Sequence, residues 1–193
     1  MRYFLKFLLV LACIYGVLLL LPEPEPKEDI AFYGDTGFSV IAHRGGRGLV
    51  PGNTIEAAIN AVNIGSDIIE IDVHLTADDV LVVRHDASID TTTNGTGQIS
   101  AMSLADIQGY DVGFHEIDYP NAAPQDSIRV PALRDLFLEL PDQRYLIELK
   151  PQDVSAADRL CGLIRQHNMQ KQVLVGSFHT HVLKHFRREC PEM

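Results

Sequence analysis

The residues able to do chemistry in this sequence sit at the ends of apolar runs. Phe38-Ser-Val-Ile-Ala42 ends in His43 and Arg44, which open the glycine-rich stretch "HRGGRGLVPGNT" reaching Thr54. "DIIEIDVHL", residues 67–75, carries Glu70 and Asp72 inside an otherwise apolar run. Val80 to Val83 is followed by Arg84, His85 and Asp86, and "YLIELK" places Glu148 and Lys150 near its end. Strand side chains alternate, so Glu70, Asp72 and His74 share one face, and Glu148 and Lys150 share another. Two carboxylates side by side on a buried strand repel each other and lose hydration. A divalent cation offsets both costs, and hard oxygen donors favour Mg²⁺ or Ca²⁺. Each group alone has an ordinary explanation: a solvated edge strand, a surface ion pair, a structural hydrogen bond from a histidine. The same anomaly at several strand ends points instead to one polar site.

Groups so far apart in the sequence need a fold to gather them. Strands are expected at 38–42, 67–75, 80–83, 145–149 and 173–176. Helices are expected at 54–63, 133–140, 156–167 and 180–188, the first capped by Asn53 or Thr54. Alternation of this kind predicts a parallel sheet with helices packed outside it. In such sheets the C-terminal strand ends lie on one side, where His43, Arg44, Glu148, Lys150, His85 and Asp86 would meet. Residues 86–127 are polar and rich in Gly, Thr and Asp, and read as a large loop or insertion with a short helix at 104–108. His74, His115, His167, His179, His181 and His185 read as solvated or capping residues.

The chain has 193 residues, enough for one sizeable domain, and 46% of them are apolar. A formal charge of −10 argues against a nucleic-acid surface, which needs a basic stripe. Residues 1–21 are expected to form an N-terminal transmembrane helix or signal segment, because Phe7 to Leu21 carries no charge and Lys6 can snorkel. Basic residues before that span and acidic ones after it predict a domain on the non-cytoplasmic side, periplasmic, extracellular or lumenal. Residues 22–37, rich in proline and glutamate, read as a linker, and 38–193 as the domain. Cys13, Cys161 and Cys190 show no C-x-x-C spacing and are expected to be free thiols.

The ordered set "AHRGG" with "PGNT", "IEIDVHLTADDVLVVRHD", "IDTTTNGTGQIS", "VPAL", "IELK" and "VGSF" resembles the glycerophosphodiester phosphodiesterase family from Phe38 onward. The resemblance implies a (β/α)8 TIM barrel and metal-dependent hydrolysis of glycerophosphodiesters to glycerol phosphate and an alcohol. It implies Glu70, Asp72 and Glu148 as metal ligands and His43 and His85 as the general acid and base. Arg44 and Lys150 match positive groups near the phosphate, and Asn53 matches a position that orients the loop. The substrate it implies is a small glycerophosphodiester or a lysophospholipid. A related phospholipase or lysophospholipase is the alternative within the same barrel type. Gly52 stands where the family has glutamate, and Thr91 where it usually has arginine. About five β/α units are expected between Phe38 and Met193, against eight in the full barrel, so a C-terminally truncated, inactive fragment is a further alternative.

Overall fold

The computed structural model describes residues 2–19, 32, 38–112 and 128–193. The chain divides into two compact units, Met1–Ile30 and Ala31–Met193.

In the first unit, α1 runs from Arg2 to Leu19. Its 18 residues rise about 27 Å, at about 1.5 Å per residue. Arg2 and Lys6 lie within it. Among the described residues no helix is long and apolar enough to cross a membrane, so the expected transmembrane helix is not supported. The linker at 22–37 lies outside the described residues apart from Phe32. Phe32 is buried, and its carbonyl accepts a hydrogen bond from Arg144 Nη1 at 2.7 Å.

The second unit is built in the order β1 (Ile41–Ala42), α2 (Ile55–Asn63), β2 (Ile68–Leu75), β3 (Leu81–Val83), α3 (Leu104–Ile107), α4 (Leu133–Glu139), β4 (Arg144–Leu149), α5 (Ser155–Gln166), β5 (Val173–Gly176) and α6 (Thr180–Glu189). The sheet order is β1-β2-β4-β5, and every neighbouring pair on that path is parallel. Alternation decides what faces what. Ile69, Ile71 and Val73 of β2 and Tyr145, Ile147 and Leu149 of β4 are buried with Ala58 and Ala61 of α2, Leu136 and Phe137 of α4 and Leu160 and Ile164 of α5. The opposite face carries Glu70, Asp72 and Glu148. Tyr145 is fully buried because its hydroxyl donates to the carbonyls of Leu136 and Leu140, at 3.0 and 3.1 Å, near the C-terminal end of α4. The Thr54 hydroxyl caps α2 by accepting from Ala57 N.

β3 departs from expectation. It is antiparallel to β2, with Val73 opposite Val83 and Leu75 opposite Leu81. Only four parallel β/α units are therefore present among the described residues, rather than five. Residues Thr76 to Val80 make the reversal: Thr76 N donates to Val80 O at 3.0 Å, and Asp79 adopts a positive φ of 60°. The insertion that follows has its own small core, in which Val82, Ile89, Ile99, Ile107, Val112, Ile128 and Val130 are buried together.

The cysteines also differ from expectation. Cys161 in α5 and Cys190 just after α6 form a disulfide with Cα atoms 5.9 Å apart, and Cys13 alone is free. Packing of α6 against α5 brings together thiols that lie 29 residues apart in sequence.

Candidate active site

The site starts on β2. Glu70 and Asp72 point to the face away from the helices, and parallel pairing sets Asp72 opposite Glu148 of β4. The carboxylate oxygens of Glu70, Asp72 and Glu148 all lie within 4.8 Å of one another. Asp72 is 1% exposed, and Glu70 and Glu148 are half-buried. Lys150, next but one after Glu148 and on the same face, places Nζ 3.0 Å from Asp72 Oδ1 and 2.8 Å from Glu148 Oε1.

The loop after β1 closes over these acids. Arg44 takes a left-handed conformation, φ 53°, and its backbone N–H donates to Glu70 Oε2 at 2.7 Å. Its Nε lies 3.5 Å from Asp72 Oδ2, and His43 Nε2 lies 4.0 Å from Glu70 Oε2. Asn53 fixes the far end of the loop. Its Nδ2 donates to Asp72 Oδ2 at 3.0 Å, and its Oδ1 accepts from the backbone N–H of Asp72 at 3.2 Å.

Two glycines have steric reasons. A Cβ on Gly45, whose φ is +73°, would meet Ala57 and Ala58 of α2 at 3.0–3.1 Å. A Cβ on Gly52 would come within 2.7 Å of the Arg47 Cβ and 3.2 Å of the Arg44 Cβ. Glycine at position 52 thus fits the path this loop takes.

His85 reaches the site because β3 runs backwards along β2. Arg84 N donates to the Asp72 carbonyl at 2.9 Å, which sets the next residue beside the acids. His74, read from sequence as solvated or capping, is buried instead, with Nε2 3.1 Å from the His85 carbonyl. A carbonyl only accepts, so the His74 proton sits on Nε2. Its parity with Glu70 and Asp72 was the available signal. His115 lies outside the described residues.

Charge and burial shape the ionisation of the cluster. Burial pushes the Glu70 carboxyl up to about 7, opposed by the Arg44 N–H and reinforced by the neighbouring Asp72 and Glu148 charges. Partial burial, with the guanidinium groups of Arg44 and Arg47, holds His43 below the usual imidazole range. Burial also lowers His74. Burial pulls the Lys150 ammonium down, but its hydrogen bonds and charge contacts with Glu148 and Asp72 outweigh that and leave it above the usual range.

The donor set fits a hard divalent cation. Three carboxylates from two adjacent strands converge, and two cationic side chains already lean on them. Beside the acids opens a cleft of about 240 Å³ lined by Glu70, Leu146, Glu148, Gly176, Ser177 and Phe178. Glu70, Asp72, Glu148, Lys150, Arg44, His43 and Asn53 thus meet at one end of the sheet, and His85 follows the end of β3, which pairs with β2.

A family model, that of the glycerophosphoryl diester phosphodiesterase family, matches residues 43–192. The chain belongs to this family. It is 35% identical over 159 residues to a glycerophosphodiester phosphodiesterase of Caldanaerobacter subterraneus subsp. tengcongensis, covering 80% of this chain and 63% of that protein. Over 151 residues it is 26% identical to a lysophospholipase D of Homo sapiens, covering 77% of this chain and 48% of the relative. Among solved structures, a phosphodiesterase of Oleispira antarctica in complex with the product sn-glycerol-3-phosphate superposes with a TM-score of 0.72 at 28% identity. That match covers 80% of this chain and 63% of the Oleispira chain. This glycerophosphoryl diester phosphodiesterase family member therefore has the α/β architecture of the TIM-barrel type and spans a little under two thirds of the Caldanaerobacter relative's length.

Proposed function

We propose that this domain is a metal-dependent phosphodiesterase that hydrolyses glycerophosphodiesters to glycerol phosphate and an alcohol. The observation that carries this reading is the convergence of Glu70, Asp72 and Glu148, with carboxylate oxygens within 4.8 Å of one another. These three side chains would hold one Mg²⁺ or Ca²⁺, the ions that hard oxygen donors prefer. When bound, the cation supplies positive charge that polarises the phosphodiester.

The chain's own residues do the rest. Lys150 and Arg44 neutralise charge building on the phosphate oxygens. As the bond from phosphorus to the attacking oxygen forms and the bond to the departing oxygen breaks, one of His43 and His85 takes the attacker's proton. The other gives a proton to the leaving alcohol, so charge and protons balance. The product bound to the Oleispira relative supports glycerol phosphate as the product here.

A lysophospholipid substrate is the second reading. Phe178 is 87% exposed beside Glu70 and Glu148, an apolar surface suited to an acyl chain, and the human relative is a lysophospholipase D. The reading also places the domain on the non-cytoplasmic side, supported by the buried Cys161–Cys190 pair, since such bonds persist in oxidising compartments.

The test is hydrolysis of glycerophosphocholine by the full chain with and without chelator, and by Glu70→Ala and His85→Ala. Chelation and both substitutions are expected to abolish turnover; turnover that survives all three contradicts the proposal. Lysophosphatidylcholine assayed in parallel separates the two substrates, by release of lysophosphatidic acid instead of glycerol phosphate.

A further inference from the structure

His85 stands at an open rim, and packing alone does not fix its ring. Its side chain is 37% exposed and that of Asp86 39%. Two hydrogen-bonded neighbours replace packing. His85 Nδ1 lies 2.7 Å from Asp86 Oδ1, and the Thr91 hydroxyl donates to Asp86 Oδ2. A carboxylate held at both oxygens cannot rotate away from the imidazole. Thr91 is itself placed by the insertion core. Ile89 is fully buried, its N–H donates to the Gly97 carbonyl at 3.0 Å, and its carbonyl accepts from the Thr93 N–H at 3.1 Å and the Thr93 hydroxyl at 2.7 Å. Asp90 Oδ1 accepts from Gly97 N at 2.8 Å and closes the same turn. On the other side, His74 donates to the His85 carbonyl.

We propose that Thr91 is a positioning residue that acts through Asp86 on His85. It holds the Asp86 carboxylate where that group accepts a hydrogen bond from His85 Nδ1–H, leaving Nε2 as the nitrogen that exchanges a proton with a substrate oxygen. Asp86 itself neither gains nor loses a proton. This inference rests on the phosphodiesterase reading for its rate consequences, but not for the geometry. The Asp86 carboxyl lies below its usual range because of the Thr91 hydroxyl first and His85 second, consistent with a pure acceptor between two donors.

The experiment compares Thr91→Val, which removes the hydroxyl at an exposed site while keeping the β-branched shape, with Thr91→Ser, which keeps the hydroxyl. Two quantities are read on the full chain: the His85 ring tautomer by ¹⁵N NMR, assigned by comparison with His85→Ala, and glycerophosphocholine kinetics. In Thr91→Val the His85 ring is expected to lose its single Nδ1–H form, and kcat to fall about tenfold with KM unchanged. Thr91→Ser is expected to restore both. An unchanged His85 ring in Thr91→Val overturns the proposal, and so does a changed ring with an unchanged kcat. So does failure of Thr91→Ser to restore either quantity. Should the unmodified chain show no turnover, the phosphodiesterase reading fails, while the ring tautomer still decides whether Thr91 positions His85.

Discussion

Asn53 and Asp72 exchange two hydrogen bonds, side chain to side chain at 3.0 Å and backbone N–H to side chain at 3.2 Å, and so lock the glycine-rich loop onto the middle of β2. Asn53 is 3% exposed and sits at φ 61°, a conformation asparagine tolerates better than most residues. Asp72 is thereby held still while Lys150 and Arg44 lean on its other contacts.

Asn53→Ala removes both bonds, leaves the Asp72 N–H without its partner and adds strain at a positive φ. Stability is expected to fall by about 1–3 kcal/mol, read by urea unfolding. Turnover should fall further than stability accounts for, because the loop carries Arg44 and His43. An unchanged unfolding midpoint contradicts the lock.

The pH behaviour follows from Glu70. Its pKa of about 7 in the cation-free protein lies above the ordinary 4.5. Between those values the folded chain holds a proton that the unfolded chain has lost. Its contribution to stability is therefore full below pH 4.5 and is lost as the pH rises toward 7. Cation binding must displace the same proton, so affinity should drop by up to tenfold for each unit below pH 7. Calorimetric titration with Mg²⁺ or Ca²⁺ at pH 5.5, 6.5 and 7.5 checks this. Affinity independent of pH contradicts it.

Lys150→Met removes the ammonium that bridges Asp72 and Glu148. The cation-free protein should melt several degrees lower, since two neighbouring carboxylates lose their counter-charge. Saturating divalent cation should recover most of that loss while turnover stays low. Thermal melts with and without Mg²⁺ or Ca²⁺ separate the two effects. Equal losses in both conditions would mean that Lys150 and the cation do not share the same charges.

Cys161→Ser/Cys190→Ser tests the staple between α5 and α6. A bond closing 29 residues is worth about 3–4 kcal/mol by loop-closure reasoning. The double variant should unfold at lower urea, yet show the same kcat under conditions where it remains folded, because neither cysteine touches the acidic cluster. Thiol titration of the denatured, unreduced chain should find one reactive group, Cys13; three would show that the pair is open.

Much of the site was legible in sequence because strand alternation is a strict rule. Glu70 and Asp72 interrupt β2 at the same parity, and Glu148 does so on β4, with Lys150 at the same parity just past its end. Adjacency of the two strands then sets Asp72 opposite Glu148. The direction of β3 was not legible. A short apolar run has no polarity of its own, and its reversal depends on the Thr76–Val80 turn and on the insertion core beneath Val82. Nor was the Cys161–Cys190 pairing, which requires knowing that the end of α6 folds back onto α5. His74 follows the same parity: its spacing from Asp72 already placed it on the site face.

The central claim is that Glu70, Asp72 and Glu148 bind one divalent cation together. The most direct measurement is calorimetric titration of the full chain with Mg²⁺ and with Ca²⁺ at pH 7.5, beside Glu70→Gln and Glu148→Gln variants whose folding is confirmed by circular dichroism. One saturable site in the unmodified chain, weakened at least tenfold by either substitution, is the predicted result. Absence of saturable binding by either ion, or binding that both variants retain in full, contradicts the account.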